Sequence, residues 1–431
     1  MNVLLANFIV YTITSLLFWM KFKRINLYVF LWLAYTFSAF MSFYCVSQGF
    51  YYNTDIKLGY KLSIIPYIAN YLFTFIVLYP FYNFKEYKVR WDAFDVNRKI
   101  SAPFINLSLF LFIIYGLFNL ANSILASQLG FSEIYESRHS EGINLLAISN
   151  PLLSTIYNWS GTYYQVARTL IITLLVSKLI KIDWRSKKYL LQLSLCFLPS
   201  LLGSVASANR GGLFFLFADF VFVYLLAKQF IPSGIKKKII TTILLLLGVM
   251  TVFAIKISIS RFVENGNEDS FPAIIRYFGE AMANIGDLYY GRVRNHPMGA
   301  TFFPEFFNVP TFDSMQDFFQ YWSHITGVPI ALFGTIFGDC YIQFGMIGAF
   351  VFITIFVFLW KFLFFKYGLT NIPFIMYYFI TFGIAGLFGY GFYDERKHFL
   401  FILLVLFSFS LKKKESRFYT QKKLKKIIYN R

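Results

Sequence analysis

The chain has 431 residues, of which 58% are hydrophobic and 14% are charged, and its formal net charge at pH 7 is +19. Such a composition excludes an ordinary water-soluble globular protein, because the hydrocarbon core of a bilayer is the solvent that suits it. The positive charge does not indicate nucleic-acid binding, since most of it falls in alternate loops and in the C-terminal tail.

About eleven apolar stretches follow one another along the chain, most of them near the ~20 residues that a transmembrane helix needs. They predict an all-α polytopic membrane protein, with 143–157 as an interfacial or re-entrant piece before the fifth span. The predicted spans are 2–20, 25–45, 62–83, 102–124, 158–180, 189–206, 213–227, 239–257, 343–365, 372–391 and 398–411.

The loops between these spans alternate in charge. One set, which includes the C-terminal tail, carries 27 Lys and Arg residues, whereas the other set carries 10. The positive-inside rule therefore predicts an outside N-terminus and a cytoplasmic C-terminus, and an odd number of spans agrees with this. The tail predicts contact with anionic lipid at the cytoplasmic face.

The spans and loops divide the chain into four predicted parts. Residues 1–257 hold the first eight spans with short loops, and 258–342 form a large periplasmic or extracellular loop. Residues 343–411 hold the last three spans, and 412–431 form the basic tail. The three cysteines and four histidines show no metal-ligand spacing, and no nucleotide-binding motif is found, so we expect neither a metal nor a cofactor.

The turn VASANRGG at 205–212 joins two spans on the predicted outer side. A charge at the membrane is costly and commonly marks a function, and a guanidinium suits phosphate, so Arg210 is a candidate ligand. The alternative is that Arg210 only reaches the interface. Arg168 lies near the middle of the fifth span, where it is either a buried phosphate ligand or a sign that the span begins later.

The long loop 258–325 carries the arginines 261, 276, 292 and 294 together with eight acidic residues. Its apolar residues recur at helical spacing and predict an amphipathic helix over 272–292 that lies on the membrane surface or packs over the bundle. Arg276, Glu280 and Asp287 fall on its polar face, and the first two also have the spacing of a simple ion pair.

The segment GDCYIQFGMIGAF at 338–350 leads into the ninth predicted span. Gly345 and Gly348 favour close helix packing. Asp339 and Tyr341 remain as interfacial polar groups that are open to a functional role.

The SANRGG turn, the late outer loop with its arginines and the G-D-x-Y-x-x-F-G-x-x-G segment together resemble the O-antigen polymerases, more broadly the oligosaccharide repeat-unit polymerases (Wzy-type). The resemblance implies a glycosyltransferase of the bacterial cytoplasmic membrane that joins repeat units carried on undecaprenyl pyrophosphate at the outer leaflet. It implies surface polysaccharide (O-antigen, capsule or exopolysaccharide) as product, with a chain-length regulator and a flippase as partners. It also implies that no metal or nucleotide is needed.

This chemistry assigns expected roles to the candidates. Arg210 and Arg276 would stabilise the pyrophosphate leaving group, and His324 would accept the acceptor hydroxyl's proton, as a late-loop histidine does in the related O-antigen ligases. His324 is equally open to being an ordinary surface histidine. The expected substrate-binding residues are Arg261, Arg168, Arg292, Glu280, Asp287, Asp339 and Tyr341, and the alternative bases are Glu280, Asp287, Asp394 and Glu395.

Two other functions stay open. An O-antigen ligase would share the architecture and the leaving group but would transfer glycan to a lipid A core. A polysaccharide flippase or transporter would also be polytopic and basic, although we expect it to have more spans, two similar halves and short outer loops.

Overall fold

Helices are the only regular secondary structure in the part of the chain that the computed structural model describes. That part comprises residues 2–51, 62–89, 98–128, 150–181, 184–206, 210–262, 270–304, 306–307, 309–310, 312, 315–368, 371–389 and 395–410. The helices are α1 (Asn2–Phe22), α2 (Leu27–Ser47), α3 (Ile65–Tyr82), α4 (Arg98–Gln128), α5 (Pro151–Lys181), α6 (Lys187–Ala206), α7 (Arg210–Ala227), α8 (Ser233–Phe262), α9 (Ser270–Asn284), α10 (Met315–Thr326), α11 (Ile336–Phe364), α12 (Ile372–Tyr378) and α13 (Glu395–Ser410).

Seven helices among the described residues are long and apolar enough to cross a membrane: α1 to α6 and α11. Two shorter apolar segments, Leu213–Ala227 and Ile372–Leu387, accompany them. The prediction of an all-helical chain with several spanning-length apolar helices is confirmed at this level, whereas the predicted count of eleven spans stays a prediction. The helices form because long runs of apolar residues can satisfy their backbone groups in a bilayer only by internal hydrogen bonds.

The helices pack in two groups that meet at α5 and α12. In the first group α2 contacts α1 and α9, and α3 contacts α11; in the second, α4 contacts α5 and α6, and α6 contacts α7. Most of the α5 span is buried, and both α12 and α13 pack against it. A π-helical stretch, Phe379–Ile384, continues α12 and packs between α2, α3 and α7. Polar side chains on α5 are therefore held inside the protein.

The predicted amphipathic helix is present but ends earlier than 292. Helix α9 ends at Asn284, and a π-helical turn, Ile285–Tyr289, follows it. It packs alongside α2, where Ser38 Oγ donates to Phe278 O at 2.9 Å. The helices approach so closely that a Cβ atom added to Gly279 would lie 2.5 Å from the backbone of Met41.

Helix α11 begins seven residues before the predicted span, so Asp339 lies in its first turn. Gly345 has φ +68° and ψ −176°, which breaks the helix. Gly345 thus supplies a backbone conformation that L side chains rarely adopt, and an added Cβ there would lie 3.3 Å from the His296 ring. Its expected role in close helix packing stays a prediction. The backbone oxygens freed by the break find partners in the preceding segment, where His296 Nδ1 lies 2.8 Å from Ile342 O and Met298 N donates to Gln343 O at 2.9 Å.

Candidate functional site

The π-helical turn after α9 carries a buried carboxylate, Asp287. A π-helical turn adds a residue to the helical repeat and often occurs at functional sites, because it re-aims the side chains that it carries. The turn packs against α3 at Gly286, where an added Cβ would lie 2.6 Å from the Tyr67 hydroxyl. It also packs against the start of α11, since the Tyr289 hydroxyl donates to Leu332 O at 2.8 Å. Asp287 is thus held where α3, α9 and α11 meet.

Tyr51, just beyond α2, closes this region from the other side. Its hydroxyl donates to Asn284 Oδ1 and, at 3.2 Å, to Asp287 Oδ2. Asn284 in turn donates through Nδ2 to Phe333 O at 2.7 Å, which ties the end of α9 to the segment before α11. Burial, together with the nearby carboxylates of Asp287 and Glu280, raises the pKa of Tyr51 well above its ordinary value, so its hydroxyl stays a donor.

Two arginines extend this group of polar residues. Arg276 Nε lies 3.6 Å from Glu280 Oε2, which realises the ion pair expected from the i, i+4 spacing, and the two side chains are only 13% and 16% exposed. Arg292 Nη2 lies 4.0 Å from Asp287 Oδ1 and is 47% exposed. We call Tyr51, Arg276, Glu280, Asn284, Asp287 and Arg292 the Asp287 cluster.

Asp339 lies beside this cluster at the start of α11. It is 6% exposed, and its Oδ2 has no hydrogen-bond partner among the described residues. Two glycines make room for its carboxylate: a Cβ on Gly389 would lie 2.8 Å from Asp339 Oδ1, and one on Gly334 would lie 3.4 Å from it. A buried carboxylate oxygen without a donor is costly, which makes Asp339 a stronger candidate than its position in the sequence alone suggested. Tyr341, two residues further along the chain, accepts a hydrogen bond from the Gly291 backbone at 3.0 Å.

A second ion pair lies deep among α5, α6 and α7. Arg168 Nη2 lies 2.7 Å from Asp219 Oδ2, and the Asp219 side chain is fully buried. Arg168 Nη1 also donates to Ser200 Oγ at 2.6 Å, and its guanidinium lies over the ring of Tyr164 at 5.5 Å. Of this pair, the sequence predicted a possible functional role only for Arg168. Asp219 was missed, although an acidic residue inside a predicted span is itself a signal of a buried partner.

The remaining predicted site residues are not among the members of the Asp287 cluster. His324 lies at the end of α10 with an exposed side chain, whereas Glu280 and Asp287 lie inside the bundle. Arg210 begins α7 and Arg261 lies in the last turn of α8. The side chains of Arg210, Arg261 and Glu395 lie outside the described part of the structure, and so does the whole of Asp394.

Chemically, the Asp287 cluster combines guanidinium groups with carboxylates at one end of the bundle. Guanidinium groups bind phosphate through paired hydrogen bonds, and a carboxylate can bind sugar hydroxyls or accept a proton from one. No cluster of metal-ligating side chains occurs among the described residues. Comparison with protein-family models, curated proteins and solved structures gives no match for this chain.

Proposed function

We propose that this protein is a lipid-pyrophosphate-dependent polysaccharide polymerase of the Wzy type, in the bacterial cytoplasmic membrane. It would have eleven spans, and the loop that carries α9 and α10 would face the outside. It would transfer a growing glycan from undecaprenyl pyrophosphate to the hydroxyl of a newly arrived lipid-linked unit.

The observation that carries this proposal is the Asp287 cluster. A glycosyl transfer that expels pyrophosphate needs cations for the leaving group and a group that takes the acceptor proton. Arg276 and Glu280 provide both kinds of group on one helix, 3.6 Å apart. The charge asymmetry of the loops predicts that this end of the bundle faces the outside, where the proposed polymerisation would take place.

Within the cluster the proposed roles differ. Arg292 and Arg276 bind the pyrophosphate, and 47% of the Arg292 side chain is exposed to solvent. Glu280 accepts the hydroxyl proton, since its carboxylate lies beside the proposed pyrophosphate ligand Arg276 and its side chain is more exposed than that of Asp287. Tyr51 and Asn284 position Asp287 and the turn. His324 stays the alternative base, and Arg210 and Arg261 stay further candidates for the pyrophosphate.

One observation favours a second function, a polysaccharide flippase or transporter. Helix α11 is interrupted at Gly345, and α12 continues as a π-helical stretch. Transporters commonly place substrate sites at interrupted helices. The Asp287 cluster lies near one end of the bundle, which fits a surface reaction better. An O-antigen ligase would use the same chemistry with a lipid A core as acceptor.

The glycan phenotype of a deletion strain distinguishes these functions. Loss of a polymerase should leave single repeat units on the final acceptor. Long chains that accumulate on undecaprenyl pyrophosphate would instead identify a ligase, and repeat units that stay on the cytoplasmic leaflet would identify a flippase. Either of these two outcomes would overturn the polymerase assignment.

A further inference from the structure

The segment before α10 exposes large apolar side chains on one surface. Phe306 is 83% exposed, and Met298 and Phe307 are also exposed. We call these three residues the Phe306 ledge. Met298 adopts a positive φ of 55°, which is unusual for a residue other than glycine, so its outward position is held by the surrounding structure. In the sequence, Glu305 is the single charged residue between 298 and 312.

The ledge rests on the spanning helix α11. The neighbouring Phe302 is fully buried, and its ring packs against Phe344 and Phe352 with centroid separations of 6.0 and 6.2 Å. Gly299 lies against both Phe344 and Phe307, since an added Cβ would lie 3.3 and 3.7 Å from atoms of their rings. The ledge is therefore attached to α11 on both sides of its break.

The dimensions of α11 give the depth of this contact. After Gly345, the helix continues to Phe364. At ~1.5 Å per residue this part is about 28 Å long, close to the ~30 Å thickness of a bilayer's hydrocarbon core. Gly345 then lies near one edge of the hydrocarbon, and the backbone of Phe352 lies about 10 Å inside it. Phe302 packs against Phe344 before this edge and against Phe352 beyond it, which favours a position of its exposed neighbours at the level where headgroups meet acyl chains.

Helix α11 itself also exposes large apolar side chains. Its exposed apolar residues recur at intervals of three and four, which puts them on one face of the helix. This face consists of Ile347, Val351, Ile355, Phe358 and Phe362. A spanning helix exposes such a face to lipid. The ledge and this face are thus two exposed apolar surfaces associated with the same spanning helix.

We propose that the Phe306 ledge inserts into the outer edge of the bilayer and is covered there by lipid acyl chains. The loop that follows α9 is thus anchored in the membrane beside α11 instead of standing free in water. Aromatic and aliphatic side chains held at this depth, ~5–10 Å into the interface, bind membranes through the apolar area that they bury. The inference depends on the packing of α11 and does not require the proposed polymerase activity.

Site-directed fluorescence tests this depth. Cys45, Cys196 and Cys340 are all buried, so a cysteine introduced by Phe306→Cys can be labelled selectively with an environment-sensitive fluorophore. The matched control is Gln320→Cys, because Gln320 is an exposed polar residue of α10. Both labelled proteins are reconstituted in phosphatidylcholine vesicles, with iodide as aqueous quencher and lipids that carry a nitroxide on the acyl chain as membrane quencher.

We expect the nitroxide lipids to quench the label at position 306 at least twofold more than iodide does, and the reverse order at position 320. A label on Met298→Cys should behave like that at 306, which covers the case in which Phe306→Cys fails to fold. Iodide quenching at 306 equal to that at 320 would overturn the proposal. Protection of position 306 from both quenchers would also overturn it, since a protein partner would then cover the ledge.

Discussion

Two arginine–carboxylate pairs in this protein are built in opposite ways. Arg168 and Asp219 come from different helices, approach to 2.7 Å and lie where α5, α6 and α7 meet. Arg276 and Glu280 come from the same helix and stay 3.6 Å apart, and the carboxylate of this pair is 16% exposed, whereas that of Asp219 is fully buried.

The difference separates a structural pair from a candidate site. Removing charges from water costs several kcal/mol per ion, so a deeply buried pair persists only when its partners are close and further hydrogen bonds are made. Arg168 fits this description in part: Ser200 also accepts a hydrogen bond from its guanidinium, whereas Arg168 Nε and Asp219 Oδ1 have no hydrogen-bond partner among the described residues. An i, i+4 pair is formed within one helix and needs no partner from another helix, so its loss should disturb the packing of the bundle less than the loss of the deep pair does. We therefore expect substitutions in the first pair to affect folding, and those in the second to affect activity.

The largest expected effect is that of Asp219→Asn on folding. The substitution keeps the shape but leaves the charge of Arg168 without its partner, which for a buried pair costs about 3–5 kcal/mol. The yield of monodisperse protein in detergent and its thermal unfolding temperature should both fall. The double variant Arg168→Met, Asp219→Leu should recover both, because apolar residues of similar size often replace a buried ion pair without loss.

An unchanged unfolding temperature in Asp219→Asn would contradict the structural role of the deep pair. If the double variant folds normally but lacks activity, Arg168 binds substrate, as the sequence analysis expected.

The next prediction concerns the proton acceptor. Glu280→Gln removes the proposed base and should slow polymerisation by about 10²–10⁴-fold, the usual contribution of general base catalysis. His324→Gln, at an exposed position on α10, should retain the wild-type rate. Both rates are measured with purified protein and lipid-linked repeat units. The opposite result, a slow His324→Gln and a normal Glu280→Gln, would move the base to α10.

Arg276→Ala should lower turnover by about 10²–10³-fold, as the loss of one group that stabilises a developing negative charge does. Its thermal unfolding should stay near that of the wild type. Arg276→Lys should restore activity only in part, because an ammonium group lacks the paired donors of guanidinium. Arg294→Ala is the matched control, since Arg294 is an exposed arginine of the same loop. Equal activity of Arg276→Ala and the control would remove Arg276 from the site.

A smaller effect on stability is expected at Gly279, which sets how closely α9, with its ion pair, approaches α2. Gly279→Ala would push a Cβ to 2.5 Å from the Met41 backbone, and overpacking of this kind costs about 1–3 kcal/mol. Gly248→Ala on α8 is the control, because nothing lies within 4 Å of its added Cβ. Thermal unfolding of both variants tests this, and a Gly279→Ala protein as stable as the control would show that the contact is not tight.

The smallest effect concerns Tyr51 at alkaline pH. A pKa raised in the folded protein means that the group contributes stability that is complete below the unfolded value of about 10 and is lost as pH rises above it. Tyr51→Phe should cost about 1 kcal/mol at neutral pH through the lost hydrogen bonds. It should also reduce the loss of stability between pH 9 and 11, whereas the exposed control Tyr321→Phe should not. Identical alkaline profiles for Tyr51→Phe and the wild type would contradict this prediction.

The sequence by itself determined the helices and the local pair. Apolar runs predict spanning helices because the bilayer requires internal hydrogen bonding of the backbone, and this requirement acts over ~20 consecutive residues. The spacing of Arg276 and Glu280 predicted their contact for the same local reason, since residues four apart lie on one face of a helix.

Only the tertiary structure decided which distant residues meet. Nothing local to Arg168 specifies Asp219, and nothing near Tyr51 specifies Asp287, because these contacts depend on how whole helices pack. The break at Gly345 was equally hidden, since a glycine in an apolar run is compatible with close packing as well as with a break. Hydropathy and charge reveal which segments leave water, whereas the pairing of their few polar groups is set by the geometry of the assembled bundle.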